Sequence, residues 1–274
     1  MSRSAVLAVS LIVAAVAVPV AHGDLQRELR QTYTGKLLSL RTPSNLDVLH
    51  FDQEGRAARP SEGEPWTTCS LFKVRKIGVN FAEIVIEGER LAVVLSPDAV
   101  KKLLLVELDR PVHVTIDLPP RVRTLADSKS ILLRVFAPGD LVARMTSAWR
   151  SEVDLNRNLV DVSRATPDGR IGVLAQNRPV YLGDTLPTPP VPIYKPVPTV
   201  PFKKHHKKSG GACRVRMVVN ERGFPEILEV LQQLRQGLDN QLLAAVSQWR
   251  FKPAKRENLP VAAMLTVDVN PPAE

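Results

Sequence analysis

Apolar positions recur at helical spacing most clearly near the C-terminus. Leu238, Leu242, Ala245, Val246 and Trp249 fall at i, i+4, i+7, i+8 and i+11, one stripe of an amphipathic helix. Gly237 breaks the chain before it, Asp239 stands as its N-cap, and Pro253 ends it, with Arg250 and Lys252 near the carbonyl pole. On either side the period changes to two. Cys213–Asn220 and Ile227–Leu231 read as strands joined through the turn Glu221-Arg222-Gly223, and Pro260–Asn270 alternates apolar with polar positions as a third strand. Strand, strand, helix, strand predicts a three-stranded antiparallel sheet whose apolar face one helix covers. Trp249 is the largest side chain available to fill that interface.

Towards the N-terminus the pattern is mostly of strand type. Asp24–Thr32 reads as a short helix; Lys36–Arg41, Asp47–Phe51 and Trp66–Val74 read as strands. Glu83–Glu87 and Arg90–Leu95 predict a hairpin across Gly88-Glu89, and Leu103–Leu108 with Val112–Leu118 a second pair across Asp109-Arg110-Pro111. Leu141–Val153 predicts an amphipathic helix capped by Asp140. Pro187–Pro201 then holds seven prolines in fifteen residues, which favours an extended spacer of at most ~45 Å. The expected organisation is α+β: a β-rich N-terminal module over 24–183, a Pro-rich linker over 184–202 and a C-terminal domain over 203–274.

The first residues have a different character. Arg3 precedes Ala5–Ala21, uncharged and apolar, and Ala21-His22-Gly23 is a small-x-small site before Asp24. This predicts a secretory signal peptide over 1–23 and a periplasmic or secreted mature chain. The alternative is an uncleaved anchor in the inner membrane, for which 17 residues is the short limit. Cys69 and Cys213 fall in different predicted units; two small buried side chains is the simpler reading, and a bridge stays open.

The net charge of +9 raises nucleic acid and anionic surfaces as partners. The basic residues are interspersed with Asp and Glu, which argues against nucleic acid. Lys203–Lys208 (KKHHKK) is the exception. Four lysines around two histidines disfavour a divalent cation, so a solvated basic segment is expected and no metal site. His50 and His113 sit in strand-like runs, with Asp117 four residues after His113, but no nucleophile motif accompanies them. No hydrolase, metalloprotease, nucleotide or dinucleotide fingerprint is present. Neither enzymatic activity, nor a cofactor, nor a small-molecule substrate is expected.

The turn at Arg222-Gly223, Gly237-Leu238-Asp239, the run Trp249-Arg250-Phe251-Lys252-Pro253-Ala254 and Pro260-Val261 together resemble the C-terminal domain of TonB, the periplasmic energy transducer. The likeness covers about Pro192–Asn270. It implies a non-enzymatic domain with Leu238, Trp249, Phe251 and Pro253 as its motif core. It also implies that a peptide adds as a strand along Val261, Met264, Leu265, Thr266, Val267, Asp268 and Val269. The implied partner is an outer-membrane transporter or another envelope protein; a homodimer fits as well. Pro271-Pro272 stops the last strand early relative to that family. TonB's membrane helix carries a histidine, and Ala5–Ala21 has none. The alternative is therefore a periplasmic or secreted structural and interaction protein that keeps the fold without motor coupling. The opening Leu25–Arg41, with Phe51-Asp52, Gly55 and Trp66-Thr67, looks like a module found ahead of TonB-type domains, which implies no activity.

Overall fold

The structure, a computed structural model, describes residues 22–80, 82–95, 103–119, 122, 124–137, 166–174, 178–197, 212–233 and 238–270. The apolar run of the expected signal peptide, the helix expected over Leu141–Val153 and the basic cluster Lys203–Lys208 lie outside these residues. The described chain opens with helix α1 (His22–Tyr33), which contains His22 and Gly23 of the expected cleavage site. No helix among the described residues is long and apolar enough to cross a membrane.

Among the described residues the N-terminal half is built on five strands: β1 (Leu37–Ser39), β2 (Val48–Phe51), β3 (Leu71–Val79), β4 (Glu83–Leu95) and β5 (Leu103–Asp117). Two departures from the sequence pattern stand out. The expected hairpin at Gly88-Glu89 is one continuous strand, β4, and the expected turn at Asp109-Arg110-Pro111 lies inside β5. Gly88 is there for space: a Cβ would stand 2.7 Å from the Phe72 ring and 2.8 Å from the Lys73 carbonyl, the close approach that marks glycine within a strand. Near Asp109, at φ 48°, the β4–β5 register shifts between Glu89 and Leu91, a bulge that lets the pair run on past it.

Trp66–Cys69, expected as strand, is a single helical turn, α2. Helix α3 (Leu125–Val135) follows β5 and is capped by Thr124, whose Oγ1 accepts from the Asp127 N–H. Helices α1 and α3 close the first core through Leu25, Leu29, Ile131, Leu132 and Val135 against Phe72, Ile84, Ile86, Val114 and Ile116. Two buried arginines fasten the loop at 44–47 to the long strands. Arg90 donates to the Cys69 and Leu46 carbonyls, and Arg110 to Asn45 beside Asp47. Burial, then the neighbouring Arg110, brings the Arg90 pKa down to about 10.

The C-terminal half begins with the hairpin β6 (Arg170–Leu174) and β7 (Arg178–Leu182), then a 3-10 turn at Gly183–Thr185 and β8 (Val191–Tyr194). It continues through β9 (Cys213–Val219), β10 (Pro225–Gln232), helix α4 (Leu238–Ser247), β11 (Arg250–Lys252), β12 (Ala254–Arg256) and β13 (Leu259–Val269). The expected three-stranded antiparallel sheet is present in the order β10-β9-β13, with one helix on it. Helix α4 is shorter than expected. It ends at Ser247, Arg250 and Lys252 lie in β11, and Pro253 separates β11 from β12 without ending the helix.

The two halves share one sheet. Among the described residues the order is β1-β3-β4-β10-β9-β13-β7-β6, with β5 and β2 continuing from β4 and β12 beside β13. The joint is parallel: Leu228 and Glu229 of β10 face Val94 and Leu95 of β4. The second core crosses it, since Ala92, Val94 and Leu108 pack with Val215, Met217, Leu242, Val246, Trp249 and Phe251. α2 adds two hydrogen bonds, Thr67 Oγ1 to the Glu226 carbonyl and Thr68 Oγ1 to that of Pro225 at 3.3 Å.

The expected spacer is also part of the fold. β8 pairs antiparallel with β11, Thr188 bridges Lys255, and the Pro196 carbonyl accepts from Trp249 Nε1 at 3.3 Å. Proline's extended backbone already lies near strand geometry, so such a segment can add to an edge where its missing N–H is not needed.

Candidate functional site

The residues expected to take a peptide all lie on β13, and their two sides differ. On one side β13 pairs antiparallel with β9 from Ala263↔Val219 to Val269↔Cys213. On the other, Ala262, Ala263 and Met264 pair in parallel with Val180, Tyr181 and Leu182 of β7, and Val261 pairs with Ala254 of β12. The expected acceptor strand is thus an edge over part of its length. Val261 and Met264 already have partners on both flanks or in the β12 hairpin, whereas Leu265, Thr266, Val267, Asp268 and Val269 pair with β9 alone among the described residues.

Gly183 sets the point of change. A Cβ there would stand 2.9 Å from the Met264 carbonyl oxygen, so the chain leaves the edge by an approach that a side chain would obstruct. On the open stretch Thr266 and Asp268 are exposed, Leu265 and Val267 are half-buried, and Val269 is buried. Asp268 accepts two bonds from Arg214, Nε at 2.7 Å and Nη2 at 3.0 Å, and these hold its carboxyl below the usual range. Arg216, opposite Thr266, reaches the buried Glu229 at 3.4 Å.

The β6–β7 hairpin is held at both ends by charge. Arg178 reaches Glu221 and Glu226, each at 2.8 Å. Asp168, just before β6, accepts from Thr166 Oγ1 and from Arg256 at 3.0 Å, which bring its pKa down to about 2. The Arg256 guanidinium also lies 4.9 Å over the Tyr181 ring. Val180 is fully buried, and Tyr181 packs with Leu186, Ala254 and Ala263.

The motif residues support this strand from behind. Trp249 and Phe251 are buried with ring centroids 6.2 Å apart, and Lys195 sits 4.6 Å from the Trp249 ring. Pro253 is half-buried; Leu238 opens α4, its side chain outside the described set. Gly223 makes the closest contact. At φ 84° its carbonyl accepts from the Phe251 N–H at 3.0 Å, and a Cβ would stand 2.0 Å from the Phe251 oxygen.

Residues 197–270 match the family described as Gram-negative bacterial TonB protein C-terminal. These residues form a TonB C-terminal domain. The match leaves residues 1–196 outside it, so β7 and two-thirds of the Pro-rich segment, residues 187–196, lie upstream of the TonB C-terminal domain. Domains of this family are envelope-associated protein-interaction units and not enzymes. No curated protein and no solved structure matches the chain.

Elsewhere, His50 Nε2 lies 3.4 Å from Asp117 Oδ1, and Glu83 joins them on neighbouring strands, their ligand atoms within 4.8 Å of one another. Asp117 thus meets His50, across the sheet. All three are at least partly exposed, as in an ordinary surface cluster.

Both cysteines are free and buried. Burial, then the adjacent Asp239, pushes the Cys213 thiol up to about 12, and burial raises that of Cys69. Reaction needs the thiolate. A chromogenic disulfide reagent at pH 8 is expected to titrate neither thiol in the folded chain and both after denaturant; prompt reaction before unfolding would contradict the placement of β9 and α2.

Proposed function

We propose that the chain is a cell-envelope protein whose TonB C-terminal domain binds a peptide segment of a partner, an outer-membrane transporter or another envelope protein, by strand addition to Leu265–Val269. The observation that carries this reading is the one-sided pairing of β13 beyond Met264. Backbone donors and acceptors along such a stretch are a template for another strand. Main-chain bonds then supply affinity, and the exposed Thr266 and Asp268 face whatever lies alongside.

Amide hydrogen exchange tests this with synthetic peptides copied from the periplasm-facing segments of outer-membrane transporters. Binding is expected to slow exchange at alternate amides between Leu265 and Val269. Changing Thr266 and Asp268 to alanine is expected to weaken binding less than about ten-fold, because the ladder is kept. Binding without any change on β13 would remove this strand from the site.

A second reading, an interaction protein without motor coupling, draws on a different observation. The TonB C-terminal domain shares its core with β4 and β5 through Ala92, Val94 and Leu108. The domain is thus built into a larger body, not carried at the end of a spacer. Membrane retention of the N-terminal segment would favour coupling, and a mature chain starting at Asp24 the second reading.

A further inference from the structure

We infer that β7 is a built-in ligand: Arg178–Leu182 occupies the inner part of the acceptor edge of β13, and a partner strand binds fully only by exchange with it. This rests on the strand-addition reading and adds how the edge is regulated and what sequence it selects.

Three features support it. First, β7 comes from outside the TonB C-terminal domain, yet it lies alongside the same strand that would receive a peptide. Second, the contact is the weaker flank of β13: three residue pairs with β7 against seven with β9. Segments held by few contacts open at lower free energy than the core they lean on. Third, the hairpin is fastened by ion pairs between partly exposed groups, Arg178 with Glu221 and Glu226, and Asp168 with Arg256. Such pairs are modest and weaken with salt.

The edge is therefore divided at Gly183. Leu265–Val269 is open for first contact, and Ala262–Met264 is reached once β7 lifts. A ligand able to complete the exchange reproduces what β7 places there. It offers an arginine to Glu221 and Glu226, a β-branched side chain in the position of Val180, and an aromatic ring against Ala254 and Ala263 under Arg256.

The probe is a fluorescein-labelled peptide of residues 178–184, RPVYLGD, read by anisotropy against full-chain variants. In one, Val180→Cys and Ala262→Cys place cysteines at register partners on adjacent strands, within reach of a disulfide. Oxidised glutathione should join them, and Cys69 and Cys213 are buried. The oxidised form is expected to bind the probe at least ten-fold more weakly than the same chain in dithiothreitol. In a second, Asp168→Ala and Arg178→Ala remove the hairpin's own anchors but leave Glu221, Glu226 and Arg256 for the probe; affinity is expected to rise at least ten-fold. Equal binding by oxidised and reduced chains, or no disulfide in the folded chain, overturns the built-in ligand. Disulfide formation with no probe binding by the anchor-free chain instead rejects β13 as an acceptor, and the inference with it.

Discussion

Trp249→Ala is expected to lower the unfolding free energy by about 3–5 kcal/mol, the range for deleting a buried large aromatic. The ring is 2% exposed and contacts Phe251, and its indole N–H donates to Pro196. Its loss leaves a cavity and an unmatched carbonyl, and takes away the platform beneath Lys195. Because Trp249 shares a core with Ala92, Val94 and Leu108, the damage should not stop at the limits of the TonB C-terminal domain. Denaturant unfolding measures the total, and hydrogen exchange its extent. Protection should fall along the ends of β4 and β5 as well as on α4. A loss confined to residues 197–270 would mean that the two halves are stabilised separately.

Gly223→Ala is expected to be nearly as damaging, by about 3 kcal/mol or more, although it adds one methyl group. An alanine held at φ 84° costs about 1–2 kcal/mol on its own. The added carbon would also stand 2.0 Å from the Phe251 carbonyl oxygen, a backbone atom that cannot swing aside. Relief requires β11 to move away and forfeit the Phe251-to-Gly223 hydrogen bond, worth about 1 kcal/mol. Thermal unfolding checks it. An unchanged midpoint would show that the 220–224 turn and β11 are not pinned together as described.

The legible parts of this fold were those whose pattern and neighbours agree. Leu242, Val246 and Trp249 face one core, and the helical stripe showed it. The strands at 213–219 and 259–269 were likewise readable, because over 213–217 and 265–269 buried or half-buried apolar positions alternate with more exposed polar ones. The misreadings came from residues whose local preference is outvoted by packing. Gly88 looked like a turn and serves Phe72. Asp109, two residues before Pro111, sits at positive φ inside a strand that continues. The prolines at 187–201 looked like a spacer and lie partly on β11.

One signal was present and missed: Thr124-Leu125-Ala126-Asp127 has the spacing of a capping box, and α3 starts there. The candidate site was legible only as a strand. That Met264 already has a partner depends on Val180, Tyr181 and Leu182, over eighty positions upstream, and no local periodicity carries that.

The order of the strands has a consequence for how the chain comes together. β13 follows β6, β7, β9 and β10 in the sequence, yet it lies between β9 and β7 within the sheet. A polypeptide that emerges N-terminus first, from a ribosome or an export channel, can form the β6–β7 and β9–β10 hairpins early. It must wait for residues 259–269 to close the gap between them. Until then both flanks of that gap are bare, and pairings of such long sequence separation close slowly. The strand that would greet a partner in the finished protein is also the one whose arrival ends its most aggregation-prone interval.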